Sequence, residues 1–353
     1  MVYLFVIVYI CLSLSLHQKQ INRSKIGIVF FTPAIIVWTI VVGGQYYVGT
    51  DYPVYLNYFE RPSPAYEPIF CYLTIYLYEH GIKGQYIFFV FAFINAFFIF
   101  IACRKIRLSN YALFFFLLVS VSTFFNSQMN GIRQCSAVSI IFLAIAVMKD
   151  SKKFSAILII LATGIHYSAL ACLPLLMYER YLYKITAAPK ILITITCFMP
   201  FVAVDENFTN QLLSCLPSEI VSGTRLALYQ DTDAGEVRLG FIYRVSKLYF
   251  VPLYWWSTIL LKNNVLNEKE MYLYKLGLFS YFVKSVLLVN LFFNRFSYYF
   301  WIPAIFPVYF LARYIQKRNQ SLYALIILYC SFIYFYKVIS ETQGYTYDFF
   351  VNH

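Results

Sequence analysis

Charged residues are scarce in this chain. Of its 353 residues, only 12% are Asp, Glu, Lys or Arg, against roughly 25% in an ordinary soluble domain. A soluble fold of this length needs more charge to cover its surface, and disordered, collagen-like and coiled-coil chains are polar or periodic. Those classes are therefore excluded. Apolar side chains are abundant instead, at 61% hydrophobic and 21% aromatic residues, which indicates a membrane protein with many spans.

The sequence motifs of several common catalytic classes are also missing. The chain has no glycine-rich phosphate loop, no GxGxxG, no HExxH and no GxSxG. Its eight cysteines mostly lie in apolar runs without metal-ligand or redox spacing, so we interpret them as small core residues. Asp231 and Asp233 have the spacing of the DxD motif of nucleotide-sugar transferases, but the nucleotide-binding domain that this motif requires is missing. We therefore predict no metal site and no cofactor.

The apolar runs predict an all-α fold with about ten full transmembrane helices, since about 20 apolar residues cross a bilayer. The predicted spans lie near 1–16, 26–43, 85–103, 111–125, 132–148, 189–204, 239–261, 271–293, 296–312 and 321–338. Residues 67–80 are too short to span, and we expect a re-entrant half-helix there. Residues 154–178 are expected to form a helical hairpin that turns near Gly164–His166. The chain 1–353 is predicted to be a single integral membrane domain.

The net charge of +12, from 28 basic and 16 acidic residues, is interpreted as cytoplasmic anchoring rather than nucleic-acid binding. Cytoplasmic loops of membrane proteins are enriched in Lys and Arg. With both termini outside, the loops assigned to the inside hold 17 of the 28 basic residues. Those loops are 17–25, 104–110, 149–153, 179–190, 262–270 and 313–318. Segment 44–84, which includes the re-entrant helix, and the acidic loop 205–238 are then predicted to be periplasmic.

Most of the polar residues that stand out share a location at the outer ends of the predicted spans. They are Asp51, Tyr52, Tyr55, Glu67, Asn130, Arg133, Gln134, His166, Arg244, Asn294 and Arg295. Each has an ordinary alternative: arginines snorkel to headgroups, Asp51 before Pro53 suits a helix N-cap, and His166 suits a core. An arginine such as Arg244 is costly facing lipid and is expected to face a cavity or a partner. Together these residues predict an outward-facing polar site roofed by a membrane cavity.

The order of several short segments carries a resemblance to a known family. The segments are Val48–Tyr55 (VGTDYPVY), Glu67–Phe70 (EPIF), Asn130–Ala137 (NGIRQCSA), His166–Leu170 (HYSAL) and Asn294–Phe296 (NRF). The chain resembles the EpsG-like family of Wzy-type polymerases, which build bacterial O-antigen and exopolysaccharide. One departure is that family members often have Arg before the Gly-Thr-Asp segment, whereas this chain has Gln45-Tyr46-Tyr47.

The resemblance implies a multi-pass glycosyltransferase of the bacterial inner membrane, acting in lipopolysaccharide biosynthesis with its active site facing the periplasm. The donor would be a growing glycan on undecaprenyl diphosphate and the acceptor a single repeat unit on the same lipid. The expected partners are this lipid-linked oligosaccharide and membrane lipids, and no nucleic acid. A chain-length regulator protein is a further candidate partner. An O-antigen ligase and a flippase or other transporter of lipid-linked oligosaccharide are the alternatives.

The chemistry of this reaction suggests roles for the polar residues. Arginine binds phosphate through a planar fork and stays charged, so Arg133 and Arg295, with Arg244 deeper, are expected to hold the leaving diphosphate without a divalent metal. Asp51 or His166 is expected to be the general base, and the sequence does not choose between them. A hydrogen bond to the diphosphate is an alternative role for His166. The remaining candidates are expected to contact substrate; they are Glu67, Asn130, Gln134, Asn294, Tyr52 and Tyr55.

Overall fold

The computed structural model describes residues 2–177, 184, 186, 188–199, 248–287 and 291–340. Within these ranges the chain is helical and contains no strand. It divides into two compact units, unit 1 with Met1–Leu182 and Tyr309–His353, and unit 2 with Tyr183–Val308. The predicted loop 205–238, with Asp231 and Asp233, and Arg244 lie outside the described residues.

Most of the described helices belong to unit 1. They are α1 (Val2–Arg23), α2 (Thr32–Gly43), α3 (Tyr52–Glu60), α4 (Pro68–Glu79), α5 (Gln85–Ile106), α6 (Tyr111–Ser120), α7 (Phe124–Ser127), α8 (Ile132–Val147) and α9 (Lys152–Ile165). Two 3₁₀ helices accompany them, Gly27–Phe31 before α2 and Tyr167–Met177 after α9. The last described helix of the chain, Gln320–Ser340, also belongs to unit 1. It is called α16 because six described helices, α10 to α15, lie between α9 and this helix in the chain.

The described part of unit 2 contains one long helix and several shorter ones. They are α10 (Pro189–Phe198), α11 (Val251–Ser257), α12 (Ile259–Lys262), α13 (Glu268–Leu287) and α14 (Leu291–Ser297). Short 3₁₀ turns at Tyr298–Phe300 and Pro303–Ile305 follow α14. The next helix, α15 (Phe306–Gln316), begins in unit 2 and ends in unit 1.

Three described helices are long and apolar enough to cross a membrane, namely α1, α5 and Gln320–Val338 of α16. Several other apolar helices have 10–17 residues, so the predicted count of ten full spans is not confirmed. Local sequence explains some of the shortening. The run 296–312 is interrupted at Pro303, because proline has no N–H for the helical ladder and clashes with the preceding turn. The helix α1, predicted to end at 16, instead continues to Arg23.

The two irregular stretches adopt helices of the expected size. The helix α4 has 12 residues, or about 18 Å at 1.5 Å per residue, well short of a hydrocarbon core of about 30 Å. The helix α9 ends at Ile165, His166 is extended (φ −152°, ψ 113°), and a 3₁₀ helix starts at Tyr167. The break therefore falls within the predicted turn, and the two helices pack on each other.

The core of unit 1 is built on α5, which packs against α2 and α8, while α8 also packs against α9. Buried polar side chains link these helices. Gln128 Oε1 accepts hydrogen bonds from Trp38 Nε1 (3.0 Å) and Asn95 Nδ2 (3.3 Å), and Asn95 Oδ1 accepts one from Ser139 Oγ (3.1 Å). Because each of these groups is paired inside the protein, the network stabilises helix packing in a low-dielectric environment.

The basic loops of unit 1 meet at one end of the helices. Arg104, at the end of α5, donates to the backbone oxygens of Ser24 (3.1 Å) and Lys25 (2.8 Å). Lys105 forms an ion pair with Asp150 at 3.0 Å. Arg313 donates to Ser109 Oγ at 3.1 Å. Four of the six loops assigned to the inside, namely 17–25, 104–110, 149–153 and 313–318, therefore lie at the same end.

Candidate catalytic site

The opposite end of α5 begins the candidate site. The Gln85 side chain, at the first residue of α5, donates from Nε2 to the backbone oxygens of Gly43 (2.5 Å) and Gln45 (2.9 Å). Its Oε1 accepts a hydrogen bond from the Tyr52 hydroxyl at 2.6 Å. With 22 residues, or about 33 Å, α5 separates this end from the basic end. Segment 44–84 thus starts and finishes at the same end of unit 1.

The centre of the site is an ion pair between Arg133 and Glu67. Arg133 is the second residue of α8, and its Nη1 lies 2.5 Å from Glu67 Oε2. Both side chains are largely buried, with 12% and 8% of their areas exposed. Glu67 immediately precedes α4, whose first residue is Pro68, and its extended backbone (φ −61°, ψ 146°) is the conformation favoured before proline.

Aromatic side chains enclose the guanidinium of Arg133. The Nε atom donates to the Tyr55 hydroxyl at 3.3 Å, and Cζ lies 4.0 Å from the centroid of the Tyr66 ring. The Phe70 ring centroid is 5.7 Å away. Cation–π contacts of this kind strengthen when the cation is desolvated. We call Arg133, Glu67, Tyr55, Tyr66 and Phe70 the arginine cage.

The cage uses only part of the hydrogen-bonding capacity of Arg133. Nε and Nη1 have partners, and no hydrogen bond within the described part of the chain uses Nη2. The phenol of Tyr55 is fully buried, and this burial raises its pKa above the ordinary value, while Arg133 lowers it by less. Tyr55 therefore keeps its proton at neutral pH and accepts a hydrogen bond from Arg133 as a neutral hydroxyl.

The segment containing Asp51 is held next to the start of α8 by Asn130. Asn130 Oδ1 accepts hydrogen bonds from the backbone N–H of Asp51 (2.9 Å) and from Thr50 Oγ1 (3.3 Å). Gly49 adopts φ +89°, and a Cβ there would lie 2.8 Å from Asn130 Oδ1 and 2.9 Å from its Cβ. Glycine is needed at this position for both reasons. The sequence assigned Asn130 to substrate contact, and the structure shows that its amide oxygen organises this loop.

The ordinary interpretation of Asp51, as a helix N-cap, is only partly met. Asp51 is the N-terminal flanking residue of α3 and its backbone oxygen accepts from Tyr55 N, but its side chain makes no capping hydrogen bond. The side chain is exposed. Asp51 is thus an exposed carboxylate on a loop that is hydrogen-bonded to Asn130. Asn130 in turn precedes Arg133 by three residues in the chain.

His166 joins the same end of unit 1 through its neighbour. Glu67 Oε1 accepts a hydrogen bond from the backbone N–H of Tyr167 at 3.4 Å, which fixes the helix break beside the arginine cage. His166 is half-buried, and its Nδ1 lies 2.6 Å from Ser168 Oγ. Close packing supports the arrangement, since a Cβ on Gly164 would lie 2.4 Å from Ile69 Cδ1.

Unit 2 contains the remaining described candidates. Arg295 is exposed on the seven-residue helix α14, next to Asn294. Asn294 Oδ1 accepts from Ser297 Oγ at 3.0 Å, and Ser297 Oγ accepts from Trp301 Nε1 at 3.2 Å. Lys284 Nζ lies 5.0 Å from the centroid of the Trp301 ring. Unit 2 therefore carries its own cluster of basic, polar and aromatic side chains.

The structure therefore brings together the predicted residues of four segments of unit 1. They are Asp51, Tyr52, Tyr55, Glu67, Asn130, Arg133 and His166. Gln134 is the third residue of α8 and is half-buried next to Arg133 in the chain. Tyr52 is buried and its hydroxyl is bonded to Gln85, which gives it a positioning role. Sequence reasoning missed Tyr66 and Gln85. The available signal for Tyr66 was its position beside Glu67. The available signal for Gln85 was its place as a polar residue at the start of an apolar run. No group of three His, Cys, Asp or Glu suited to a metal occurs among the described residues.

Comparison with known proteins gives a family match. The EpsG family matches residues 28–352, which covers nearly the whole chain and includes every candidate residue. No curated protein and no solved structure matches the chain. Members of this family are Wzy-type polymerases that make polysaccharides. The chain, an all-helical membrane protein with polar groups collected at one end of unit 1, belongs to the EpsG family.

Proposed function

We propose that this protein is an O-antigen or related surface-polysaccharide polymerase. It transfers a growing glycan from undecaprenyl diphosphate onto a lipid-linked repeat unit, at the periplasmic face of the bacterial inner membrane. Family membership supports a polysaccharide polymerase in general. The observation that carries the more specific proposal is the arginine cage, a charged site at the end of unit 1 opposite its basic loops.

The two ends of unit 1 support the periplasmic assignment. Lys and Arg favour cytoplasmic loops, and the end where Arg104, Lys105 and Arg313 meet is therefore assigned to the cytoplasm. The cage at the other end then faces the periplasm. A lipid diphosphate lies at headgroup depth, and an arginine at the outer end of α8 is at the same depth.

In the proposed reaction the acceptor hydroxyl attacks the anomeric carbon of the donor sugar. A new glycosidic bond forms, the bond from that carbon to the diphosphate oxygen breaks, and undecaprenyl diphosphate leaves. Asp51 or His166 takes the proton of the attacking hydroxyl. Arg133 donates from Nη2 to the leaving diphosphate, while Nε and Nη1 stay bonded to Tyr55 and Glu67. A charge-assisted hydrogen bond from a preorganised donor stabilises the charge that develops there.

This geometry refines the expected diphosphate contact of Arg133. The sequence favoured a fork with two phosphate contacts, but Glu67 occupies Nη1. Arg133 is proposed to make a single contact and to be held in position by its cage. Arg295, exposed on α14, is proposed to bind diphosphate oxygens through its fork. These arginines replace the divalent metal that other transferases use.

The glycans of cells lacking the gene test the proposal. Loss of a polymerase leaves single repeat units on lipopolysaccharide, loss of a ligase leaves none, and loss of a flippase traps the unit inside. Single units in the deletion strain, with long chains restored by the plasmid-borne gene, would support the proposal. The other two patterns would refute it.

Purified protein tests the metal independence separately. We expect lipid-linked repeat units to be polymerised in the presence of excess chelator. Loss of activity in chelator, with recovery on adding magnesium, would show that a divalent ion does the work assigned to the arginines.

The transporter alternative receives no support from the buried polar network of α2, α5 and α8, because its groups are hydrogen-bonded to one another.

A further inference from the structure

The loop of residues 44–50, between α2 and α3, carries a strained tyrosine. Tyr47 adopts φ +51°, in the left-handed region. Glycine and asparagine enter this region readily, whereas a residue with a bulky side chain does so at a cost in free energy. Such outliers persist only where the surrounding structure imposes them, and they cluster at functional sites.

A second unfavourable feature lies two residues earlier. The side chain of Gln45 is 1% exposed, and neither its Oε1 nor its Nε2 has a hydrogen-bond partner among the described residues. A buried amide left without partners destabilises the folded state. The loop therefore carries two separate costs, one in its backbone and one in a side chain.

Contacts at both ends hold the loop in this conformation. Gln85 Nε2 donates to the backbone oxygens of Gly43 and Gln45. On the other side, Gly49 packs closely on Asn130, whose Oδ1 accepts from Asp51 N. Both contacts belong to the candidate site, so the site imposes the position of Tyr47.

The result is an exposed aromatic ring on the loop that leads to the candidate base Asp51. The Tyr47 side chain is 57% exposed. Its ring lies 5.0 Å from that of buried Tyr52 and 4.8 Å from that of Tyr46, centroid to centroid. These two ring contacts support the Tyr47 ring, and Asp51 follows four residues later in the chain.

We propose that Tyr47 is a stacking platform for a sugar ring of the lipid-linked oligosaccharide, next to Asp51. The proposal rests on the proposed function and adds a residue that positions the sugar. A pyranose has one face of C–H groups that packs on an aromatic ring, while the phenolic hydroxyl and neighbouring polar groups meet its hydroxyls. A tyrosine of the interfacial belt is the competing explanation. Belt tyrosines need no left-handed backbone, as Tyr72 shows, 74% exposed on the helix α4.

The test separates the ring from the backbone. Tyr47→Gly removes the ring and suits the left-handed conformation, so the purified variant should unfold at the same or a higher temperature than wild type. Its KM for the lipid-linked repeat unit that accumulates in the deletion strain should rise about two- to tenfold, the range expected for one aromatic stacking contact. The kcat should change little. Tyr47→Phe keeps the ring and should keep KM within about twofold.

Tyr72→Ala is the matched control, an exposed tyrosine on a relaxed helix, and its KM should equal that of wild type. A folded Tyr47→Gly protein with unchanged KM would overturn the platform, as would Tyr72→Ala raising KM equally. The proposed function fails in a different way, since wild-type protein would then neither polymerise this lipid nor bind it.

Discussion

Arg133 and Arg295 look alike in the sequence but differ in their surroundings. Each lies near the outer end of a predicted span, Arg295 directly after Asn294 and Arg133 three residues after Asn130. Arg133 is enclosed by Glu67, Tyr55 and Tyr66, with 12% of its side chain exposed, whereas Arg295 is exposed on the short helix α14. One arginine is held in place by its protein contacts, and the other is exposed on the surface. Their substitutions should therefore fail in different ways.

The largest effect is expected from Glu67→Ala. Removing one partner of a buried ion pair leaves the other charge uncompensated, at about 3–5 kcal/mol. The variant should be folded in much smaller amounts, as measured by thermal unfolding in detergent and by membrane blots. Glu79→Ala, on the exposed far end of α4, is the matched control and should be normal.

A double variant identifies the cause of that loss. Combining Glu67→Ala with Arg133→Met removes both charges and should restore most of the folded protein but no polymerisation. If neither the amount of folded protein nor polymerisation recovers, Glu67 acts through contacts other than this ion pair. Recovery of both would remove Arg133 from the mechanism.

Arg→Lys substitutions compare the two arginines directly. Lysine has one nitrogen and cannot reproduce the contacts of Arg133 with Glu67 and Tyr55 together with the proposed contact with phosphate. Arg133→Lys should therefore lower both stability and rate, the rate by about 100- to 1000-fold. Arg295→Lys should lower the rate with normal stability, because its surroundings impose no such geometry. Polymer ladders and melting temperatures measure both. Normal long chains from Arg295→Lys would reduce that residue to a membrane anchor.

Close packing differs between the units as well. In Gly164→Ala the new Cβ meets Ile69 Cδ1, the end of a flexible side chain, and in Gly277→Ala it meets the Pro307 ring and the Pro303 backbone oxygen. Overpacking typically costs about 1–3 kcal/mol, and we expect the larger loss of thermal stability from Gly277→Ala. Ile69→Ala should rescue Gly164→Ala. A larger loss of thermal stability from Gly164→Ala would mean that the neighbours of Gly164 shift less easily to accommodate a new Cβ than those of Gly277.

The smallest effect, from Ser168→Ala, addresses the choice between Asp51 and His166. The change removes the hydroxyl 2.6 Å from His166 Nδ1, and one hydrogen bond is worth about 0.5–1.5 kcal/mol. If His166 is the base, kcat should fall by about two- to tenfold with KM unchanged. An unchanged kcat would favour Asp51, and Thr194→Ala, an exposed hydroxyl on α10 in unit 2, provides the control.

The helical class and the break at 164–166 could be predicted because both follow from local sequence. Apolar runs specify helices, and Gly164 with the polar residues after it specifies a turn. The number of full spans could not be predicted in the same way. Prolines such as Pro303 and short 3₁₀ segments interrupt apolar runs. The mean hydropathy averaged over such a run stays high, so it does not show where the helix is interrupted.

The members of the site were predictable by type, but their partners were not. Arg133, Glu67 and His166 stood out as polar residues at span ends. Their pairing depends on how α4, α8 and α9 pack, which brings residues 66 and 100 positions apart into contact. Tyr66 and Gln85 were missed for the same reason, because in an aromatic-rich membrane protein neither residue type is unusual before its neighbours in space are known.

The separation of Glu67 from Arg133 has a consequence for biosynthesis. The arginine is made 66 residues after the glutamate, and at about 5–20 residues per second the carboxylate waits about 3–13 s for its partner. Glu67 immediately precedes the first residue of α4 and does not lie within the helix, so we expect the unpaired carboxylate to stay near the aqueous boundary during insertion. The half-helix thus allows a charged site to be assembled late, after the ribosome has delivered α8.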